Sequence, residues 1–313
     1  WDTGLAVLAL RACGVPADHP QLVKAGEYLL REEVAVKGDW AIRRPDLAPG
    51  GWAFEYENDN YPDVDDTAVI ALALRELGIG SEAVDRGLAW LVGMQSRDGG
   101  WGAFDVDNKA MWLYRIPFCD FGKVTDEPSA DVTAHALETL GTIGGHDSVV
   151  EHGLEWLLAE QETDGSWFGR WGVNHVYGTG AALPALEACG VPHDHPAMRR
   201  AVAWLDSVQQ EHGGFGEDIR SYGDPAWRGR ADFATASQTA WALLGYVAAG
   251  NAEETSARRA ADYLCSVQRS DGDWEEEPFT GTGFPLDFMI RYHLYRINFP
   301  LFALGRLRER LTG

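Results

Sequence analysis

The chain has 313 residues, 45% hydrophobic and 24% charged, with a formal net charge of −22. That apolar content supplies a sizeable core and excludes a disordered tail, while the acidity excludes a broad positive surface for nucleic acid or free polyphosphate. Four scattered cysteines (Cys13, Cys119, Cys189, Cys265) have no Cys-x-x-Cys spacing, so neither zinc nor a disulfide framework is indicated and a reducing compartment is the default. No apolar run is long enough to span a bilayer and no signal peptide is present. The start at Trp1-Asp2-Thr3 runs directly into a helical pattern without an initiator Met, the look of a fragment of something longer.

In chain order, two kinds of helix alternate. One kind is rich in Ala, Leu and Gly, and four copies share Thr, ten residues, then Gly: Thr3 to Gly14, Thr67 to Gly78, Thr179 to Gly190 and Thr239 to Gly250. Ala130 to Gly141 fits the frame without the Thr. Gly14, Gly78, Gly141 and Gly190 stand where a left-handed C-cap is required. The other kind is amphipathic and ends in an aromatic, Gln five residues on, and an aromatic six beyond: Trp90/Gln95/Trp101, Trp156/Gln161/Trp167, Trp204/Gln209/Phe215 and Tyr263/Gln268/Trp274, with Tyr28/Glu33/Trp40 a degenerate copy. Small residues pack closely, which puts the first kind inside and the second outside. Five pairs and a divergent sixth around Gly281 to Leu307 predict an all-α fold, an α/α barrel of about six hairpins forming one domain over 1–313. The Gln and Trp are read as ties: the amide bonds exposed backbone at a helix end while the indole stacks over it. Long insertions (40–63, 102–129, 215–236, 272–283) cluster where inner helices begin, which marks that end of the barrel for a site.

Tyr61-Pro62-Asp63-Val64-Asp65-Asp66-Thr67 puts three carboxylates at the mouth of an inner helix, where Pro62 stops the helix from extending backwards. One Asp suffices as an N-cap. Three repel, so at least one should hold its proton well above the ordinary range and the cluster should titrate as a unit. A calcium loop is excluded by Ala68 and Leu74 at the positions that need Gly and Glu, and no Asp-Asp-x-x-Asp magnesium signature follows. Capping and acid catalysis both remain open on the motif alone. His135, placed in the repeat frame at the position of Leu72, should face inward. Alone it reads as a satisfied core histidine; beside the Asp cluster an imidazolium would orient the acid. Aromatics outside the repeat are Trp1, Phe54, Phe104, Trp171, Tyr177, Phe284, Phe288, Tyr292 and Tyr295. The last four are spaced as one helix face. Each alone reads as core; together, lining a cavity beside an acid, they suit cationic intermediates, since each ring face attracts a cation by about 0.5–2 kcal/mol.

Seven stretches carry a resemblance: Gly50-Gly51-Trp52-Ala53-Phe54, Tyr61 to Ala68, Ile116-Pro117-Phe118-Cys119-Asp120-Phe121-Gly122, Val124-Thr125-Asp126, Asp131-Val132-Thr133-Ala134-His135, Gly165 to Asn174, and Gly281-Thr282-Gly283-Phe284-Pro285. Together they resemble the squalene–hopene cyclases, class II terpene cyclases, over essentially the whole chain as their C-terminal half. The resemblance implies that Asp65 donates the proton, Asp63 and Asp66 support it, His135 is its hydrogen-bond partner, and Tyr177 helps restore its proton through water. It implies that Trp1, Phe54, Trp171, Phe284, Phe288, Tyr292 and Tyr295 line the cavity, with Phe104 in the same wall, and that Phe118 and Cys119 form the substrate constriction. It further implies no metal or cofactor, squalene or a related linear triterpene as the apolar substrate, a hopene- or hopanol-like product, a second N-terminal barrel, dimerisation, and monotopic attachment to the cytoplasmic face of a bacterial membrane. Phe104 stands where relatives usually have Tyr, Glu55 where they have Gln, and Met289 where they have Tyr. The alternatives are a class II cyclase acting on a prenyl diphosphate, which would want a basic cluster that is not evident, a zinc-bearing protein prenyltransferase barrel, and a non-enzymatic scaffold.

Overall fold

The computed structural model describes residues 1–109 and 125–312. Eleven α-helices among them are α1 (Asp2–Ala12), α2 (Pro20–Arg31), α3 (Val64–Leu77), α4 (Ser81–Gly93), α5 (Ala130–Ile143), α6 (Asp147–Ala159), α7 (His175–Ala188), α8 (Pro196–Val208), α9 (Ala236–Ala248), α10 (Thr255–Val267) and α11 (Tyr295–Thr312). Two short antiparallel pairs accompany them: β1 (Trp52–Ala53) with β2 (Pro62–Asp63), and β3 (Gly281–Phe284) with β4 (Phe288–Ile290).

The odd-numbered helices each pack against the next, and α11 returns to α1, closing an inner ring. The even-numbered helices pack outside it, which makes the α/α barrel. Burial explains the assignment. On α10 only Ala257, Ala260 and Leu264 are buried, a single helical stripe, whereas on α9 twelve of thirteen residues are buried. Glycines let the ring close tightly: a Cβ on Gly141 would stand 2.7 Å from the Ala188 carbonyl of α7, and one on Gly180 2.6 Å from the Trp241 carbonyl of α9.

The ties are as expected and more regular. Trp101, Trp167 and Trp274 are fully buried, and each indole N–H donates to the carbonyl ten residues earlier, of Leu91, Leu157 and Leu264. Gln95, Gln161 and Gln209 each donate to a glycine carbonyl in their own turn and to a carbonyl at the start of the next outer helix, of Val149, Ala197 and Ser256. The backbone N–H of each motif's last aromatic then donates to an inner-helix threonine hydroxyl, Trp101 to Thr133, Trp167 to Thr179 and Phe215 to Thr239.

Four expectations need correction. In the first copy Trp52, not Trp40, plays the repeat's part, donating to the Leu29 carbonyl and binding Thr67 through its backbone; the insertion before α3 displaces it in sequence. The inner helix of the third pair has its threonine after all: the frame is Thr133 to Gly144, and Gly144, not Gly141, takes the positive φ of 83°. His135 therefore matches Val69, not Leu72. The sixth pair is represented by α11 alone, with no outer partner among the described residues. Phe284 and Phe288 stand in a β-hairpin, β3 with β4, and Tyr292 just beyond it, rather than on a helix face, because Pro285 and the left-handed Leu286 (φ 70°) break any helix there.

Candidate active site

The site gathers at the end of the ring where the inner helices begin. Pro62 and Asp63 pair with Ala53 and Trp52, the Val64 N–H donates to the Ala103 carbonyl, and Thr67 accepts from Trp52. Two separate loops thus hold the first turn of α3. Asp63 is its N-cap, its Oδ1 accepting from the Asp66 N–H at 2.7 Å. Asp63, Asp65 and Asp66 are 4%, 9% and 1% exposed, so capping accounts for one of the three acids and burial is imposed on all. Burial, then the Asp66 and Asp65 charges and a hydrogen bond to Asp66, push the Asp63 carboxyl well above the ordinary range. The proton expected in the cluster therefore has a seat at Asp63. Asp66 Oδ1 lies 2.9 Å from the Trp1 backbone nitrogen.

His135 comes from α5, with Nδ1 2.9 Å from Asp65 Oδ1. Burial opposes its charge, but the Asp65 carboxylate beside it, with Glu138 and Asp131 adding, raises it to about 9. While Asp65 is ionised, the imidazole is held as an imidazolium at neutral pH. Tyr177 on α7 places its ring 6.0 Å from the imidazole, edge to face, and 4.7 Å from Trp241. Burial and then Asp65 hold its hydroxyl well above the usual tyrosine range, so it stays neutral.

The aromatic residues form two strips. One runs Phe54–Tyr292–Tyr295–Trp1–His135, with successive centroids 5.9, 4.4, 6.5 and 6.4 Å apart, and the Trp1 indole donates to the Tyr295 hydroxyl. The other sets Phe104 edge-on to Trp171 at 5.9 Å, with the Arg170 guanidinium over Trp171 and toward Phe284. Phe288, 54% exposed, lies at the rim against Gly283. Phe118 and Cys119 lie outside the described residues. Glu55 is exposed, and Met289 sits in β4 paired to Thr282.

Several contributors escaped the sequence reading. Asp131 is wholly buried, accepts from Ser129 Oγ and the Trp171 N–H, and so ties the second strip to the helix of His135. Asp126 gathers the N–H groups of Ala103, Phe104 and Asp105, fixing Phe104; burial pushes it up to about 6 against those donors. Asp2 is a fourth carboxyl near the cluster, raised by burial and by Asp66. Trp241 touches Tyr177, Tyr295 and Phe299, and its signal was present: it stands two residues after Thr239, as His135 does after Thr133. Gly172 and Gly281, bridged across two loops, seat rings: a Cβ on Gly172 would lie 2.4 Å from the Tyr177 ring, and one on Gly281 2.3 Å from that of Tyr292.

Beneath this site the ring encloses a cavity of about 600 Å³. Its walls follow the repeat: Leu5, Val69, His135, Ala181 and Trp241 two residues after each threonine, then Leu8, Leu72, Glu138, Pro184 and Leu244 one turn on. Among the described residues no helix is long and apolar enough to cross a membrane.

A sequence model described as the squalene–hopene cyclase C-terminal domain matches residues 1–309. The squalene–hopene cyclase of Alicyclobacillus acidocaldarius is 54% identical over 99% of this chain and 50% of its own length. That of Zymomonas mobilis is 45% identical over 99% of this chain and 48% of its own. The chain spans about half the length of the curated relatives it matches. Among solved structures, the type II terpene cyclase MstE from Scytonema superposes with a TM-score of 0.66 at 18% identity, covering 99% of this chain and 87% of that one, a likeness of fold.

Proposed function

The chain belongs to the squalene–hopene cyclase family, and on that premise we propose that it is the acid-bearing C-terminal barrel of a protonation-initiated triterpene cyclase. The observation that carries the reading is the contact of His135 Nδ1 with Asp65 Oδ1 at 2.9 Å, below two strips of aromatic rings. Asp65 gives its proton to the terminal alkene of squalene or a related linear polyene. The π pair forms the new C–H bond and leaves a tertiary carbocation. His135, in contact with Asp65 through Nδ1, orients the acid and stabilises the carboxylate left on it. Successive alkenes then attack the cation, ring by ring, along Trp1, Phe54, Trp171, Phe284, Phe288, Tyr292 and Tyr295, whose faces attract positive charge and whose bulk excludes water. Loss of a proton or capture of water ends the sequence in a hopene- or hopanol-like product. To Tyr177, whose ring is 6.0 Å from the imidazole, we assign the return of a proton from water to the acid.

Phe54, Leu286 and Phe288 are 42%, 52% and 54% exposed around this face. Their exposure supports a cavity completed by a second, N-terminal barrel, as the half-length coverage of the relatives also does. A substrate so apolar resides in a bilayer, which supports attachment to the membrane surface without a spanning helix; a homodimer belongs to the same reading. The test is Asp65→Asn in the full-length protein, fed squalene and analysed by mass spectrometry. Cyclised product from the wild type and none from the variant is expected; near-normal turnover by the variant overturns the assignment.

A further inference from the structure

Trp171 is fixed in its backbone and held in its side chain by two different devices. Its N–H donates to Asp131 Oδ2 at 2.7 Å and its carbonyl accepts from the Thr282 N–H at 3.1 Å. The Val173 N–H donates to the Thr280 carbonyl, and Gly172 bridges Gly281, so the 171–173 segment runs antiparallel to 280–282. The Tyr222 hydroxyl closes the turn from the other side, against the carbonyls of Gly169 and Gly172 at 3.0 and 2.8 Å. These bonds set the main chain, and the indole is held by what packs on its edge and faces, Phe104 among them.

Arg170 supplies the restraint on a face of the indole. Its guanidinium carbon is 4.4 Å from the Trp171 ring centroid and 5.8 Å from that of Phe284, and its Nη2 donates to the Gly283 carbonyl at 2.7 Å. One planar cation therefore engages an indole, a phenyl ring and the backbone between them. Arg meets all three demands because its fork is flat, stacks on aromatic faces and donates in fixed directions; a lysine ammonium offers only a point charge. Phe284 ends β3 of a hairpin whose turn holds Pro285 and Leu286, the latter at φ 70°, and its link to the 171 segment runs through β3 and Arg170. Phe104 meets the same indole at its edge, so the guanidinium keeps all three rings of this strip in register.

We infer that Arg170 is a positioning residue for the aromatic wall, clamping Trp171 and Phe284 and thereby deciding how far ring closure proceeds before the cation is quenched. The inference rests on the cyclase reading. A wall ring that swings away removes cation stabilisation at one point along the polyene and admits water there, so the later closures suffer more than protonation does. Arg170 touches no reacting atom, and its effect falls on partition among products rather than on the first step.

The experiment compares Arg170→Met and Arg170→Lys with wild type in the full-length protein, with squalene as substrate. Incompletely cyclised products should rise relative to the fully cyclised one by about threefold or more in both variants, with KM little changed. An unchanged ratio in folded Arg170→Met overturns the inference, and so does a wild-type ratio in Arg170→Lys, which would assign the effect to charge alone. Lowered thermal stability with a uniform fall in kcat and an unchanged ratio would mark a merely structural role. If the wild type itself yields no cyclised product, the cyclase reading fails rather than the clamp. The clamp is then read without substrate, from the ¹⁹F resonance of Trp171 in 5-fluorotryptophan-labelled protein, assigned by its loss in Trp171→Phe. That resonance should shift or broaden in Arg170→Lys; an unmoved signal overturns the inference.

Discussion

His135 and Asp65, seventy residues apart in the chain, meet at 2.9 Å because α5 is the next stave of the inner ring after α3. The contact has a sign that can be measured. The folded-state value of His135 is raised from 6.5 to about 9, so its stabilising contribution is fully present below pH 6.5 and is lost as pH climbs through 9. A shift of that size corresponds to at most about 3 kcal/mol. Denaturant melts from pH 6 to 9.5 should show stability falling over this window in wild type and a much flatter profile in His135→Phe. In the full-length enzyme kcat/KM should fall over the same range, and His135→Phe should lose about a hundredfold in kcat.

Asp63 acts in the same direction on stability, for a different reason. A buried carboxyl raised well above its unfolded value favours folding at low pH and penalises it progressively as pH rises through that folded value. Asp63→Asn keeps an oxygen to cap the Asp66 N–H and removes the penalty, so its melting temperature at pH 7 should equal or exceed wild type. Asp63→Leu removes the cap as well and should cost about 1 kcal/mol relative to Asn. Calorimetry of the two side by side at pH 7 checks the order.

Gly172→Ala and Gly281→Ala should each cost about 1–3 kcal/mol, since the added methyl meets the Tyr177 or Tyr292 ring at under 2.5 Å. The backbone is not the obstacle at either position, so the cost should shrink when the displaced ring is trimmed. In a double-mutant cycle, Gly172→Ala in a Tyr177→Leu background should be markedly less destabilising than in wild type. Additivity would show that Tyr177 is not the group displaced.

Gln161→Leu removes two carbonyl ties and leaves both acceptors, at Gly165 and Ala197, to find water. About 1–2 kcal/mol should be lost in urea unfolding, while the ratio of cyclised products stays at the wild-type value. A changed ratio would mean that the outer ties reach the cavity.

Much of this was legible in the primary structure because the fold repeats. Inner and outer helices, the Gln and Trp ties and the end of the barrel that carries the site all follow from comparing one copy with the next. Where the copies diverge, local rules were in competition. Thr133 was passed over because Ala130 to Gly141 also matched the spacing, and the φ of Gly144 and the bond from Trp101 to Thr133 decide between the two. Aromatic spacing in Phe284 to Tyr295 suggested a helix, although Pro285 and two glycines in β3 argued for an extended turn. Asp131, Asp126 and the ring-seating glycines act across long sequence separations, on partners that no periodicity links to them. Arg170 was visible only as part of a motif, since its partners lie on a hairpin more than a hundred residues away.

The threonine frame also has a bearing on how such a catalyst can be altered. Two residues before Thr3, Thr67, Thr133, Thr179 and Thr239 stand Trp1, Asp65, Asp131, Tyr177 and Ser237: an aromatic, an acid, an acid, a phenol and a hydroxyl on near-equivalent backbone seats around one circle. The side chains differ from seat to seat, while the scaffold beneath is common to all of them. The seats share a backbone but not their neighbours. An acid moved from the third helix to the ninth would replace Ser237 and meet the buried Glu276 carboxylate instead of a histidine. A seat is defined as much by the loop that covers it as by its place on the ring.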